Sequence, residues 1–133
     1  MASTHTMEIR ARYCECDPMG VVHHTVYPIW FEMGRTELLR ATGSTYRDME
    51  AQGFLLAVTR LELKFRAPAR YDDLVTLETS LVDVGHVKIE HRYRLSRGEE
   101  ELVVGETTLA CIGRDGKVRA LPDAWTSTIK GRA

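Results

Sequence analysis

From Met7 to Tyr13 the chain alternates: Met7, Ile9, Ala11 and Tyr13 fall on one side, Glu8, Arg10 and Arg12 on the other. A period of two is that of a strand with one covered face. The period lengthens between Thr25 and Ala41, where Val26, Tyr27, Trp30, Phe31, Gly34, Leu38 and Ala41 recur at helical spacing. Pro28 fixes the start of that helix, because proline is tolerated only in the first turn, where a missing N–H costs no intrahelical bond. Gly43 marks its end. Residues 45–53 read as a connecting turn or short helix closed by Gly53.

Beyond this point the period returns to two. Over 58–67, Thr59, Leu61, Leu63, Phe65 and Ala67 alternate with Arg60, Glu62, Lys64 and Arg66; Asp72-Asp73 then precedes a strand at 74–84. Val87, Ile89, His91, Tyr93 and Leu95 alternate with Lys88, Glu90, Arg92 and Arg94, and Gly98 turns the chain into a strand at 101–113. Asp115-Gly116 is a tight turn toward a short last strand at 117–121. One long helix followed by a run of antiparallel strands is an α+β pattern, and a single sheet wrapped around the helix covers both apolar faces. A length of 133 residues, without repeat, low-complexity stretch or linker, fits one domain over 1–133, with residues 1–6 expected to be disordered.

Composition removes several function classes. The formal net charge is −1, from 18 basic and 19 acidic residues interspersed along the chain, which gives no long-range attraction to nucleic acid or an acidic membrane. No apolar run approaches the roughly 20 residues of a membrane span, and Met1 to Thr6 lack the apolar core of a signal peptide. Three cysteines without a secretory signal argue for reduced thiols. The expected location is the cytoplasm.

The chemistry concentrates in Tyr13-Cys14-Glu15-Cys16-Asp17-Pro18-Met19-Gly20-Val21-Val22-His23-His24-Thr25-Val26-Tyr27, which opens onto Pro28-Ile29-Trp30-Phe31-Glu32-Met33-Gly34-Arg35. One carboxylate, Asp17, stands on a turn just before a helix start. That start offers unpaired N–H groups and partial positive charge. Together they can attack an acyl group and hold the oxyanion that forms. Asp17 can also be read as an ordinary turn cap, but it lies too far ahead of Thr25 to cap the helix itself. Glu32 and Arg35, three apart, read as an ion pair. Cys14, Cys16, His23 and His24 form a conceivable zinc set, although Cys-x-Cys with adjacent histidines is not a usual structural-zinc spacing; Cys16 as a nucleophile is a further alternative. Arg60, Lys64, Arg66 and Arg70, with Lys88, Arg92, Arg94 and Arg97, read as outward-facing charges of a solvated sheet.

The order Tyr-x-x-x-Asp-x-x-Gly-Val-Val-x-His, then Tyr-x-x-Trp-Phe-Glu-x-Gly-Arg, resembles the acyl-CoA thioesterases of the hot-dog fold, in the 4-hydroxybenzoyl-CoA thioesterase/YbgC-like branch. The stretch Phe65-Arg66-Ala67-Pro68-Ala69-Arg70-Tyr71-Asp72-Asp73 adds to the likeness. The resemblance implies a hot-dog fold and a thioester hydrolase with Asp17 as general base or nucleophile. It implies that His24 positions the thioester or polarises its carbonyl, and that Tyr13 lies at the catalytic pocket. Gly20, Val22, His23 and Thr25 would line the substrate mouth, with the His23 backbone N–H as an oxyanion donor. Glu32 is the fallback base, since another hot-dog branch uses a glutamate of the central helix. No metal or redox cofactor is implied; coenzyme A comes with the substrate, and some of the basic residues would meet its phosphates. Hot-dog proteins pair sheets edge to edge, which implies a homodimer or homotetramer. Two alternatives stay open: an acyl-carrier-protein thioesterase, and an acyl-CoA-binding module without turnover.

Overall fold

The computed structural model describes residues 4–123. Five strands, β1 (Thr4–Arg10), β2 (Leu55–Phe65), β3 (Leu74–Val84), β4 (Lys88–Arg97) and β5 (Glu100–Ile112), form one antiparallel sheet in the order β1-β3-β4-β5-β2. A long helix, α1 (Val26–Ala41), packs on its concave side, and a short one, α2 (Tyr46–Ala51), follows. Trp30 and Phe31 of α1 are fully buried against Val75, Leu77, Tyr93, Leu95 and Val103. Leu39, beyond the helix midpoint, packs with Met49 of α2, Val84, Ile89 and Cys111.

Two glycines permit this seating. A Cβ on Gly34 would run into Thr79 Oγ1 and come within 2.8 Å of Leu77 Cδ2. A Cβ on Gly105 would strike the Phe31 ring, which instead lies parallel to Tyr93 at 4.2 Å between centroids. Helix and sheet therefore meet nearly backbone to backbone.

The structure departs from the sequence pattern in four places. β1 starts at Thr4, so residues 4–6, expected to be disordered, pair with Ser80, Thr79 and Glu78; residues 1–3 lie outside the described residues. β1 also stops at Arg10, because the Glu15 carboxylate accepts the Arg12 N–H at 2.8 Å and draws Tyr13–Glu15 into a single 3-10 turn. Tyr13, expected on the inward face, is consequently 80% exposed and lies edge-on to Tyr71 at 5.5 Å. On α1 the buried stripe includes Arg35 and Leu39, while Ala41 is exposed. The expected last strand reduces to one bridge between Ile112 and Val118, although Gly116 (φ +80°) does turn the chain there.

Beneath α1 sits a polar group of residues. Arg35 Nη1 approaches Tyr93 OH at 3.5 Å, Tyr93 OH and Thr107 Oγ1 are 2.6 Å apart, and the His91 ring lies 6.2 Å from Tyr93. His91 is buried, and its Nδ1 has no hydrogen-bond partner among the described residues. Burial, aided by the Arg35 charge, pushes its pKa down to about 3. An unfolded histidine titrates near 6.5. Between those values the unfolded chain binds a proton that the folded chain excludes. Stability should therefore fall as pH drops from 6.5 toward 3, by up to about 1.4 kcal/mol per unit. Urea unfolding at pH 7.5 and 4.5 measures this: His91→Gln should show a clearly smaller loss than wild type, and an equal loss refutes a neutral buried ring.

Candidate active site

Residues 15–23 fold back on themselves. The His23 N–H donates to Glu15 O at 2.9 Å, Cys16 faces Val22 as an antiparallel bridge, and the Asp17 N–H donates to Val21 O at 2.9 Å. The Gly20 N–H closes the turn on Asp17 O at 2.9 Å. Gly20 has φ +80°, a conformation that only glycine adopts without strain. Asp17 thus occupies the first corner of a small hairpin. Its Oδ1 accepts the Met19 N–H at 2.8 Å, an Asx turn, so the turn-capping reading holds for one oxygen. Its Oδ2 has no hydrogen-bond partner among the described residues.

The hairpin delivers the chain directly into α1. Thr25 precedes the helix without capping it by its side chain; its hydroxyl and N–H both meet His23 Nδ1, at 2.8 and 3.2 Å. The Val26 N–H is used on His23 O at 2.9 Å. The His23 N–H, expected to be an oxyanion donor, is committed inside the hairpin to Glu15 O, so it is not open to a ligand. The next N–H, that of His24, makes no hydrogen bond among the described residues. It is a donor that the mouth of α1 leaves open. The His24 ring is exposed and stacks on His23 at 4.3 Å.

A second segment completes the mouth. Val22, His24, Tyr27, Phe65, Arg66, Ala67 and Pro68 line a cleft of about 260 Å³. Its far wall is fastened at several points. The Val22 N–H donates to Ala69 O at 2.8 Å, and the Ala69 N–H donates to the buried Tyr27 hydroxyl at 3.2 Å. Arg97 Nη1 donates to Asp73 Oδ2 at 2.6 Å and to Pro68 O at 3.3 Å, while the same Asp73 oxygen accepts the Arg70 N–H at 2.8 Å. Burial alone would push the Asp73 carboxyl up, but the Arg70 N–H and the Arg97 guanidinium outweigh it and hold the group below the usual carboxylate range.

Of the residues singled out by sequence, Asp17, Gly20, Val22, His23, His24 and Thr25 all fall in the hairpin and the helix mouth. Of these, Val22 and His24 line the cleft, whereas Asp17, Gly20, His23 and Thr25 do not, and neither does the exposed Tyr13. Glu32 pairs with Arg35 at 3.7 Å, as its spacing predicts. Cys16 Sγ turns to Arg12 O at 3.6 Å, Cys14 is exposed and His23 Nδ1 is engaged by Thr25, so the four candidate zinc ligands point to different partners. Most of the basic residues on the sheet are neutralised. Arg60 and Arg92 share Glu106, Arg66 and Arg94 share Glu101, and Arg97 holds Asp73 and Glu100. Lys64, Arg70 and Lys88 have no ion-pair partner among the described residues. Sequence reasoning missed Tyr27 and the 65–68 wall as site-forming parts. The only signal for the wall was the Phe65–Asp73 stretch.

Tyr27→Phe removes the acceptor of a buried N–H while leaving the ring in place. We expect a loss of about 1–2 kcal/mol in urea unfolding, and an unchanged midpoint would show that Ala69 is satisfied otherwise.

Comparison with known proteins agrees with this geometry. The model of the thioesterase superfamily known as 4HBT matches residues 19–104. The acyl-CoA thioesterase YbgC of Haemophilus influenzae is 32% identical over 123 residues, covering 92% of this chain and 88% of the relative. A hypothetical protein from Thermus thermophilus superimposes with TM-score 0.92 at 33% identity, covering 96% of this chain and 98% of the other. A probable thioesterase from Bartonella henselae gives TM-score 0.85 at 31% identity, covering 90% and 99%. Among the described residues no helix is long and apolar enough to cross a membrane. Hairpin, helix mouth and sheet are those of a hot-dog protein, and the chain belongs to the thioesterase superfamily.

Proposed function

We propose that this protein hydrolyses acyl-CoA thioesters at the mouth of α1. The observation that carries the reading is the pairing of two uncommitted groups on one hairpin-to-helix segment, the Asp17 Oδ2 and the His24 N–H. The thioester oxygen accepts the His24 N–H, where the helix terminus favours developing negative charge. Asp17 either draws a proton from water or attacks the carbonyl carbon itself. In the first case the activated water adds to the carbonyl carbon, the C–S bond breaks, and the proton held by Asp17 passes to the departing coenzyme A thiolate. In the second the C–S bond breaks as Asp17 becomes a mixed anhydride, which water hydrolyses to the carboxylic acid and free Asp17, a proton of that water going to the thiolate. The cleft beside His24, with Val22, Tyr27, Phe65 and Pro68 on its walls, takes the apolar part of the substrate next to the carbonyl. Exposed Arg70, bridged to the hairpin through Val21, is a free cation for a coenzyme A phosphate. The reaction needs no metal or redox cofactor. The name of the YbgC relative supports the acyl-CoA substrate, and three free cysteines fit a reducing cytoplasm.

The same reading includes a dimer. Among the described residues β2 is hydrogen-bonded to β5 alone, and it carries Val58, Leu61 and Phe65 at 49%, 45% and 56% exposure. Ile29 and Met33 of α1 add to the exposed apolar surface. An unpaired apolar edge of this kind is suited to a second copy. Light scattering should show a dimer or dimer of dimers, and Leu61→Lys should shift it toward monomer. A fully active monomer at assay concentration would refute this assembly.

Asp17→Asn keeps the shape and removes the charge. It should lower kcat by roughly a hundredfold or more, with KM little changed. His24→Ala should cost less, because its backbone N–H remains. Thiol release across a panel of acyl-CoAs and acyl carrier proteins measures both effects and identifies the carrier. Wild-type turnover in Asp17→Asn with a dead Glu32→Gln would move the chemistry to the helix.

A further inference from the structure

Glu15 is buried to 7% exposure two residues before Asp17 and lines no part of the cleft, yet it makes more polar contacts than any other residue of the hairpin. Its Oε1 accepts the Arg12 N–H at 2.8 Å. Its Oε2 accepts the Trp30 indole Nε1–H at 2.9 Å and the Arg12 guanidinium at 3.3 Å. Its backbone carbonyl accepts the His23 N–H at 2.9 Å. Burial by itself pushes this carboxyl up, but the Arg12 N–H, the Trp30 N–H and the Arg12 charge outweigh it and hold the group ionised, below its ordinary range.

These contacts reach different parts of the site. The carbonyl fixes the last pair of the hairpin, one residue before the open His24 N–H. The carboxylate fixes Trp30, which is fully buried in the core and cannot follow a moving loop. The first two turns of α1 and the Asp17 corner are therefore referenced to one another through a single side chain. A short tether of this kind sets the separation between the attacking carboxylate and the oxyanion donor, and a misplacement on the order of 1 Å costs about a hundredfold in rate.

We propose that Glu15 is a positioning residue, its buried carboxylate holding the Asp17 hairpin in register with the N-terminal turns of α1 through Trp30. The inference rests on the thioesterase reading above. In Glu15→Gln one of the two oxygens becomes an NH2 donor group, which sets a donor against either the Arg12 N–H or the Trp30 and Arg12 side-chain donors and removes the charge in both cases. Trp30→Phe removes the helix side of the tether and keeps most of the apolar volume. Arg12→Ala removes only the exposed guanidinium contact.

The test compares these variants by thiol release, using the acyl-CoA that wild type turns over fastest, and by calorimetric titration with a non-hydrolysable thioether analogue of it. Expected for Glu15→Gln and Trp30→Phe is a kcat lower by roughly tenfold or more, with KM and analogue stoichiometry near wild type; Arg12→Ala should stay close to wild type. A kcat that falls only in proportion to stoichiometry shows a folding role and overturns the proposal, as does wild-type kcat in both variants. Should Glu15→Gln fail to fold, Trp30→Phe decides alone. If wild type releases no thiol from any acyl-CoA, the functional reading fails separately. The tether is then read from the Trp30 indole N–H resonance, which moves in Glu15→Gln if the bond exists and stays in place if it does not.

Discussion

The site depends on how closely α1 lies on the sheet. Gly34 and Gly105 remove the side chains that would hold helix and strands apart, and Phe31 fills the gap as a flat ring against Tyr93. With the helix fixed at that depth, its N-terminal end emerges beside Ala69, close enough for Tyr27 to take the Ala69 N–H and for Val22 to bond the Ala69 carbonyl. The cleft is the space left between two segments fastened to the same core. Of those two bonds, the one from the Ala69 N–H to the Tyr27 hydroxyl depends directly on the depth of the helix.

Much of this was legible in the chain. Helix α1 and strand β4 follow from periodicity because their recurring apolar residues enter the core, where burial enforces the pattern. β2 carries the same alternation without the burial, its residues being half-buried or exposed throughout. The failure at Tyr13 has a local cause. Tyr13 kept the parity of β1 on paper, but a carboxylate two residues later captured the Arg12 N–H and ended the strand. A period-two reading counts apolar residues and is blind to a local polar bond that redirects the backbone.

The candidate site was legible to the resolution of residues and no further. Asp17 and His24 stand out by type and spacing. Which backbone N–H stays open was not readable, because it turns on the hairpin pairing that commits His23 to Glu15 O. Nor was the state of the basic residues. On the outer face each of Glu101 and Glu106 serves two arginines from neighbouring strands, a lateral arrangement that linear sequence does not display. Exposed pairs of this sort contribute little to stability individually. Their effect is to cancel a field that the count of arginines alone would suggest.

The two borders of the sheet differ in a way that limits what it can become. Along β1 the exposed side chains are Thr4, Thr6, Glu8 and Arg10, all polar or charged, whereas β2 presents Val58, Leu61 and Phe65. A ribbon with two adhesive borders can add strands without end, and that is how fibres start. Here growth has one open direction. In the dimer proposed above, that border meets its own copy across a two-fold axis, both remaining borders are hydrophilic, and elongation terminates.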